Sequence, residues 1–256
     1  MIGVEIFVHA VRMVLNNLAT AARISAVLMA VQLGVVILLG ASFILSGEDM
    51  TERMMQGTYP WFGAFLSFVV IIVTGLWIAV AWHRFILREE VPTGPVPPFN
   101  GGAIAAYFVA GIIFALVLIA VAIPFAILAG IVMAPVLMAG GSEPGLLAGL
   151  VMAAIIYLPV SWVGYRISPI LPSAALGERM ALKDAWYATG TSGAGFVVLT
   201  LVSVAAGLLI GLPQSVLPGA LALVWGFLAN WAMMLVGASI LTTIYGHYVE
   251  RRPLNG

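Results

Sequence analysis

Cysteine is absent from all 256 residues, which removes disulfides, thiolate metal sites, iron–sulfur clusters and a cysteine nucleophile together. Charge is nearly as scarce. Asp, Glu, Lys and Arg make up 8% of the chain, where soluble domains carry about 25%. Ten basic residues balance ten acidic ones, so net charge points neither to nucleic acid nor to an acidic partner. The charged stretches are loops of roughly a dozen residues, well short of the ~50 that a soluble unit needs to bury its own core.

What is present is apolar: 63% of the residues are hydrophobic, and the mean hydropathy of +1.15 is spread over the whole length. One signal peptide or tail anchor on a soluble domain would not give that distribution. The expected fold class is all-α, a polytopic transmembrane helical bundle forming one membrane domain over 1–256. About 20 helical residues span about 30 Å of hydrocarbon, and uncharged runs of that length predict six crossings. They fall near Ile24–Leu45, Trp61–Trp82, Ile104–Leu128, Leu146–Tyr165, Phe196–Leu217 and Ala220–Tyr245. The third run continues past Pro124 and Pro135 to Met138, so a kink or tilt is expected there. No charge appears between Asp184 and His247. Gly211, Pro213, Pro218 and Gly219 are the breakers that divide this stretch into two helices.

Lysine and arginine are retained on the cytoplasmic side, and their placement here is one-sided. Arg12 and Arg23 precede the first run, Arg84 and Arg88 follow the second, Arg166, Arg179 and Lys183 follow the fourth, and Arg251 and Arg252 follow the sixth. Only Arg53 lies on the other side, with Glu48, Asp49 and Glu52, while Glu143 sits in the next outer loop. Both termini are therefore expected in the cytoplasm.

Ahead of the first run, Glu5, His9, Arg12, Asn16 and Arg23 recur as one polar stripe on a 3.6-residue helix, with Ile2, Ile6, Phe7, Val11, Val14 and Leu18 on the remaining surface. That pattern predicts an amphipathic helix over 1–22 lying in the membrane interface. A shorter segment, Leu182 to Thr191, stands in the same position ahead of the fifth run. Trp82-His83-Arg84-Phe85, Tyr165-Arg166-Ile167 and Tyr245-Gly246-His247-Tyr248 close successive pairs of runs. Three hairpins, 24–82, 104–165 and 196–246, would then form a weak repeat, although aromatics and arginines gather at membrane surfaces without common ancestry.

Ionisable groups within hydrocarbon ordinarily mark function, and none falls centrally in a predicted crossing, which weighs against proton- or sodium-coupled transport. Gln32 and Asn230 are the central polar groups, and interhelical hydrogen bonding is their expected use. Small residues recur every fourth position as Ala22-Ala26-Ala30-Gly34, Ala122-Ala126-Gly130-Ala134 and Ser203-Gly207-Gly211, the spacing of close helix packing. His83 and His247 would be an outside pair for a haem or other porphyrin, yet a histidine beside arginine at a helix end is ordinarily interfacial. Met50, Met54 and Met55 would suit cuprous copper, but the plainer role is covering the membrane surface. Gly190-Thr191-Ser192-Gly193-Ala194-Gly195 has the look of a phosphate loop or serine turn, but no lysine follows and no strand precedes it. A helix breaker is the expectation. Pro169 and Pro172 mark a bent connector. No catalytic residue, cofactor or metal is expected.

Trp82-His83-Arg84-Phe85-Ile86-Leu87, the connector Ile170-Leu171-Pro172 leading to Asp184-Ala185-Trp186, and Tyr245-Gly246-His247-Tyr248-Val249-Glu250 together resemble uncharacterised proteobacterial six-helix inner-membrane proteins. These are distantly similar to the membrane domain fused to some glycerophosphodiester phosphodiesterases. The resemblance implies fold and location only, because the catalytic barrel is absent and no site residues carry over. The functional expectation is a non-catalytic accessory or organising component of an inner-membrane assembly, with the lipid bilayer and other membrane subunits as partners and no nucleic acid. The alternative is a small permease or lipid-handling protein without ion coupling, suggested by Pro124, Pro159, Pro213 and the hairpin pattern.

Overall fold

The computed structural model describes residues 1–39, 50–138 and 145–254, and among them there are ten helices and no strand. In chain order these are α1 (Ile2–Asn16), α2 (Leu18–Leu38), α3 (Met50–Met55), α4 (Trp61–Arg88), α5 (Gly101–Met138), α6 (Leu146–Ile167), α7 (Ile170–Ala175), α8 (Leu182–Ala188), α9 (Gly193–Val216) and α10 (Gly219–Tyr248). Six of them, α2, α4, α5, α6, α9 and α10, are long and apolar enough to cross a membrane. The predicted runs match these six, with corrected ends. α2 begins six residues before Ile24, because Asn17 alone separates it from α1, and residues 40–45 lie outside the described region. α4 continues through His83 to Arg88, since an arginine at a helix end can lay its stem along the apolar surface. α5 runs unbroken past both prolines. Of the four expected breakers after Phe196, Gly211 and Pro213 remain inside α9, and the break falls at Leu217–Pro218, followed by Gly219 at φ +40°.

The chain divides into two compact units. One comprises 10–105 and 206–239. Its core is Val14, Ile24, Leu28, Ile78, Trp82 and Leu235, drawn from α1, α2, α4 and α10. Two indoles thread this core and find hydroxyl acceptors: Trp82 Nε1 donates to Ser239 Oγ at 2.9 Å, and Trp231 Nε1 to Ser25 Oγ at 2.7 Å. Ser25 passes its own proton back to the Ala21 carbonyl, so no polar atom of the pair is stranded, as an apolar environment demands. At the end of α4, Glu89 caps the helix in the left-handed region at φ +55°, and Arg84 grips the next residue, Glu90, through Nε and Nη2 at 2.8 and 2.7 Å. The proline-rich segment that follows is pinned by Arg23 on the Pro92 carbonyl and Trp77 on the Pro98 carbonyl.

The other unit comprises 1–9, 106–205 and 240–256. Here Gly3 of α1 lies on Gly195 of α9, so close that a Cβ at Gly3 would run into the backbone of Gly195 and Leu199. All six residues of α7 are buried. Tyr245 and Tyr248, at the end of α10, reach Glu178 and Ser192 through their hydroxyls, and His9 Nδ1 lies 2.8 Å from the Leu254 carbonyl. Residues 1–9, the 166–195 connector and the C-terminal turn thus share one packed region.

α1 has three faces rather than the two expected. Gly3, Ile6, Ala10 and Val14 are buried, Val4, Val8 and Leu15 are exposed, and Glu5, Arg12 and Asn16 form the exposed polar stripe. The apolar half of the helix therefore splits between protein contact and an open surface.

Candidate functional site

Most of the sequence-derived candidates have a definite place. Gln32 on α2 donates from Nε2 to Thr74 Oγ1 on α4 at 2.6 Å, and Thr74 donates in turn to the Val70 carbonyl. Asn230, likewise expected to bond between helices, is exposed on α10, and its side-chain amide makes no hydrogen bond to a described residue. His83 is fully buried in the first unit, whereas His247 belongs to the second, half-buried with Nδ1 3.1 Å from the Arg252 carbonyl. Met54 and Met55 are exposed on α3. The side chain of Met50 lies outside the described region, as do Glu48, Asp49 and Glu143. Among the described residues, no group of three or more His, Asp or Glu is placed to hold a metal ion.

In the first unit an apolar groove of about 350 Å³ opens between α2 and α10. Ala22, Ala26 and Ala30 supply its small-residue side, with Phe227, Leu228 and Trp231 opposite. The every-fourth-residue alanines put small side chains on one line because residues four apart share a helix face. The Trp231–Ser25 hydrogen bond sets the aromatic wall. Neither Gln32 nor Asn230 lines this groove.

The second unit holds a constellation centred on Arg166, at the end of α6. Its guanidinium carbon lies 3.8 Å from the Trp186 ring centroid and 5.2 Å from that of Trp162, and the two rings meet edge to face at 5.5 Å. Nη2 donates to the Trp186 carbonyl at 2.6 Å. Arg166 is 9% exposed, and its buried Nε has no acceptor among the described residues. Thr189 ties α8 to the end of α6, its hydroxyl lying 2.9 Å from both the Arg166 and Ala185 carbonyls. Trp162 Nε1 donates to the Gly193 carbonyl at 2.9 Å, placing the glycine-rich 190–195 turn against the same indole.

That turn does act as a breaker, separating α8 from α9, but it is also packed: Gly190 abuts Arg166, and Ser192 accepts the Tyr248 hydroxyl. The sequence signal for Arg166 was its place in the aromatic-basic closing pattern. Its pairing with Trp186, twenty residues on, left no local trace. Comparison with protein-family models, with curated proteins and with solved structures returns no match to this chain.

Proposed function

We propose that this chain is a non-catalytic integral membrane protein, an accessory or organising component of a bacterial inner-membrane assembly. It crosses six times, with both termini in the cytoplasm and α1 lying along the interface. The observation that carries the accessory role is the α2–α10 groove, whose alanines are exposed and spaced for the close approach of another helix. Small residues at this spacing are what helix association in lipid uses, because packing has to replace the hydrophobic effect there. The proposed occupant is a transmembrane helix of another subunit.

The orientation draws support from the one-sided arginines and from the shared packing of residues 1–9, the 166–195 connector and the C-terminal turn. The interfacial placement of α1 is supported by the exposed Val4, Val8 and Leu15 beside a polar stripe. The bacterial inner membrane rests on the resemblance carried by Trp82–Leu87, Ile170–Pro172 and Tyr245–Glu250.

Copurification in mild detergent with mass spectrometry tests the reading. A stoichiometric membrane companion lost on Ala26→Phe is the expected result; a monomer without companions overturns it. The lipid-handling alternative has one observation in its favour, that the groove is apolar and open. Retention of lipid in place of protein, again lost on Ala26→Phe, would select it.

A further inference from the structure

Four of the eight residues from Val91 to Pro98 are proline, so the segment joining α4 to α5 can neither continue the helix nor pair as a strand. The amides of Val91, Thr93, Gly94 and Val96 find no acceptor among the described residues. The segment is held at a few points instead. Near α4, Arg84 clasps the Glu90 carboxylate through Nε and Nη2 at 2.8 and 2.7 Å, and Arg23 reaches the Pro92 carbonyl at 3.4 Å. Near α5, Trp77 donates to the Pro98 carbonyl at 3.3 Å and meets the Phe99 ring edge to face at 4.9 Å. Asn100 then caps α5, its Oδ1 accepting from the Ala103 amide.

The two ends are unequally secured. The far end has an indole donor, a ring contact and a helix cap, whereas the near end depends on a long hydrogen bond and an ion pair whose Glu90 side chain is 46% exposed, a kind of pair that water and salt weaken. Glu89 works against that clasp. Its φ of +55° puts a side-chain-bearing residue in the left-handed region, where a helix ordinarily ends on glycine. The Glu89 and Glu90 amides both turn back to the Arg84 carbonyl. Arg84 thus holds the strained residue through its backbone and the next one through its side chain. Between the segment and α4 lies a pocket of about 80 Å³, room for several water molecules. Val80 and Ala81 line it from the helix, and Pro92, Pro97 and Pro98 from the segment.

We propose that residues 89–100 form a strap that opens and closes over this pocket, with Glu89 as its strained hinge and the Arg84–Glu90 pair as its clasp. Parting of the pair lets Glu89 relax to negative φ, and the near half of the strap lifts from α4 while Trp77 and the Asn100 cap keep the far half in place. Closed, the strap covers Val80, which is 2% exposed; open, it admits water and small polar solutes to that residue and to the Arg84 guanidinium. The device lies within one unit. It stands apart from the accessory reading and does not depend on a partner subunit.

The test uses the full chain in a neutral detergent and the rate at which Val80→Cys, the sole thiol in a chain without cysteine, reacts with a water-soluble methanethiosulfonate. That rate follows the population of the open strap. Glu90→Gln, which removes one charge of the clasp, should raise it about threefold to tenfold. Glu89→Val, a branched side chain in the left-handed region, should raise it by about threefold or more, whereas Glu89→Gly, which relieves the strain, should lower it about twofold to fivefold. Both glutamates are exposed, so these variants leave the core intact. Ile78→Cys, 1% exposed in the core of the same unit and outside the pocket, is the control and should stay unreactive in every background. Equal rates at Val80→Cys in all four backgrounds, a faster rate in Glu89→Gly, or Ile78→Cys accelerating in step with Val80→Cys, overturns the strap.

Discussion

The Trp231 indole nitrogen lies 2.7 Å from Ser25 Oγ, so one hydrogen bond joins α10 to α2 on the wall of the groove. Trp231→Phe keeps an aromatic ring, smaller than the indole, and deletes the donor. It should lower stability in detergent by about 1 kcal/mol, the scale of an interhelical hydrogen bond in a membrane bundle. A double-mutant cycle with Ser25→Ala, read by thermal unfolding, should show the two losses to be less than additive; additive losses would show that the contact carries no energy.

Gln32 and Thr74 should behave as a coupled pair, whereas Asn230 should not. Gln32→Leu and Thr74→Val are each expected to cost about 1 kcal/mol with positive coupling. Asn230→Leu should change stability by under about 0.5 kcal/mol, because it removes no contact with a described residue. Equal costs at Gln32 and Asn230 would place an unseen partner on the exposed amide.

Position 3 tolerates nothing larger than glycine. Gly3→Val would push a branched side chain into the Gly195 and Leu199 backbone, and overpacking of this kind costs about 1–3 kcal/mol or more. Gly111→Ala, where no described residue lies within 4 Å of the added carbon, is the matched control and should be neutral or slightly stabilising. Similar behaviour of the two variants in a thermal-unfolding assay would mean that α1 does not pack on α9.

Reporter fusions read the orientation directly. Fusions after Glu52 and after Glu143 should report outside the cytoplasm, and those after Glu90, after Arg179 and at Gly256 inside it. An external signal at Gly256 would require an odd number of crossings.

Cysteines along α1 test its three faces. Substitutions of Glu5 and Arg12 should react readily with a water-soluble maleimide, those of Val4 and Val8 only with a membrane-permeant one, and those of Ile6 and Ala10 with neither. Uniform labelling would make this segment a loose tail.

The six long helices were legible because lipid imposes a length and a composition that few other environments share. The split apolar arc of α1 was not. Amphipathic periodicity separates apolar from polar residues, but it does not say whether Ile6 or Val8 meets protein. The same limit explains Asn230: an amide in an apolar run needs a partner somewhere, yet the run does not say that its face is open. Arg166 escaped notice as a centre because its partners arrive from α6, α8 and the turn before α9. The glycines of that turn could be read for their freedom to bend, but not for what they bend around.

The contact between Gly3 and Gly195 also imposes an order on biosynthesis. At ~5–20 residues per second, the chain reaches Gly195 roughly 10–40 s after Gly3, about 190 residues later. Until then the glycine-centred face of α1 has no mate, so this helix must wait on the nascent protein. The unit that binds it closes only late in translation, when residues 240–254 have followed.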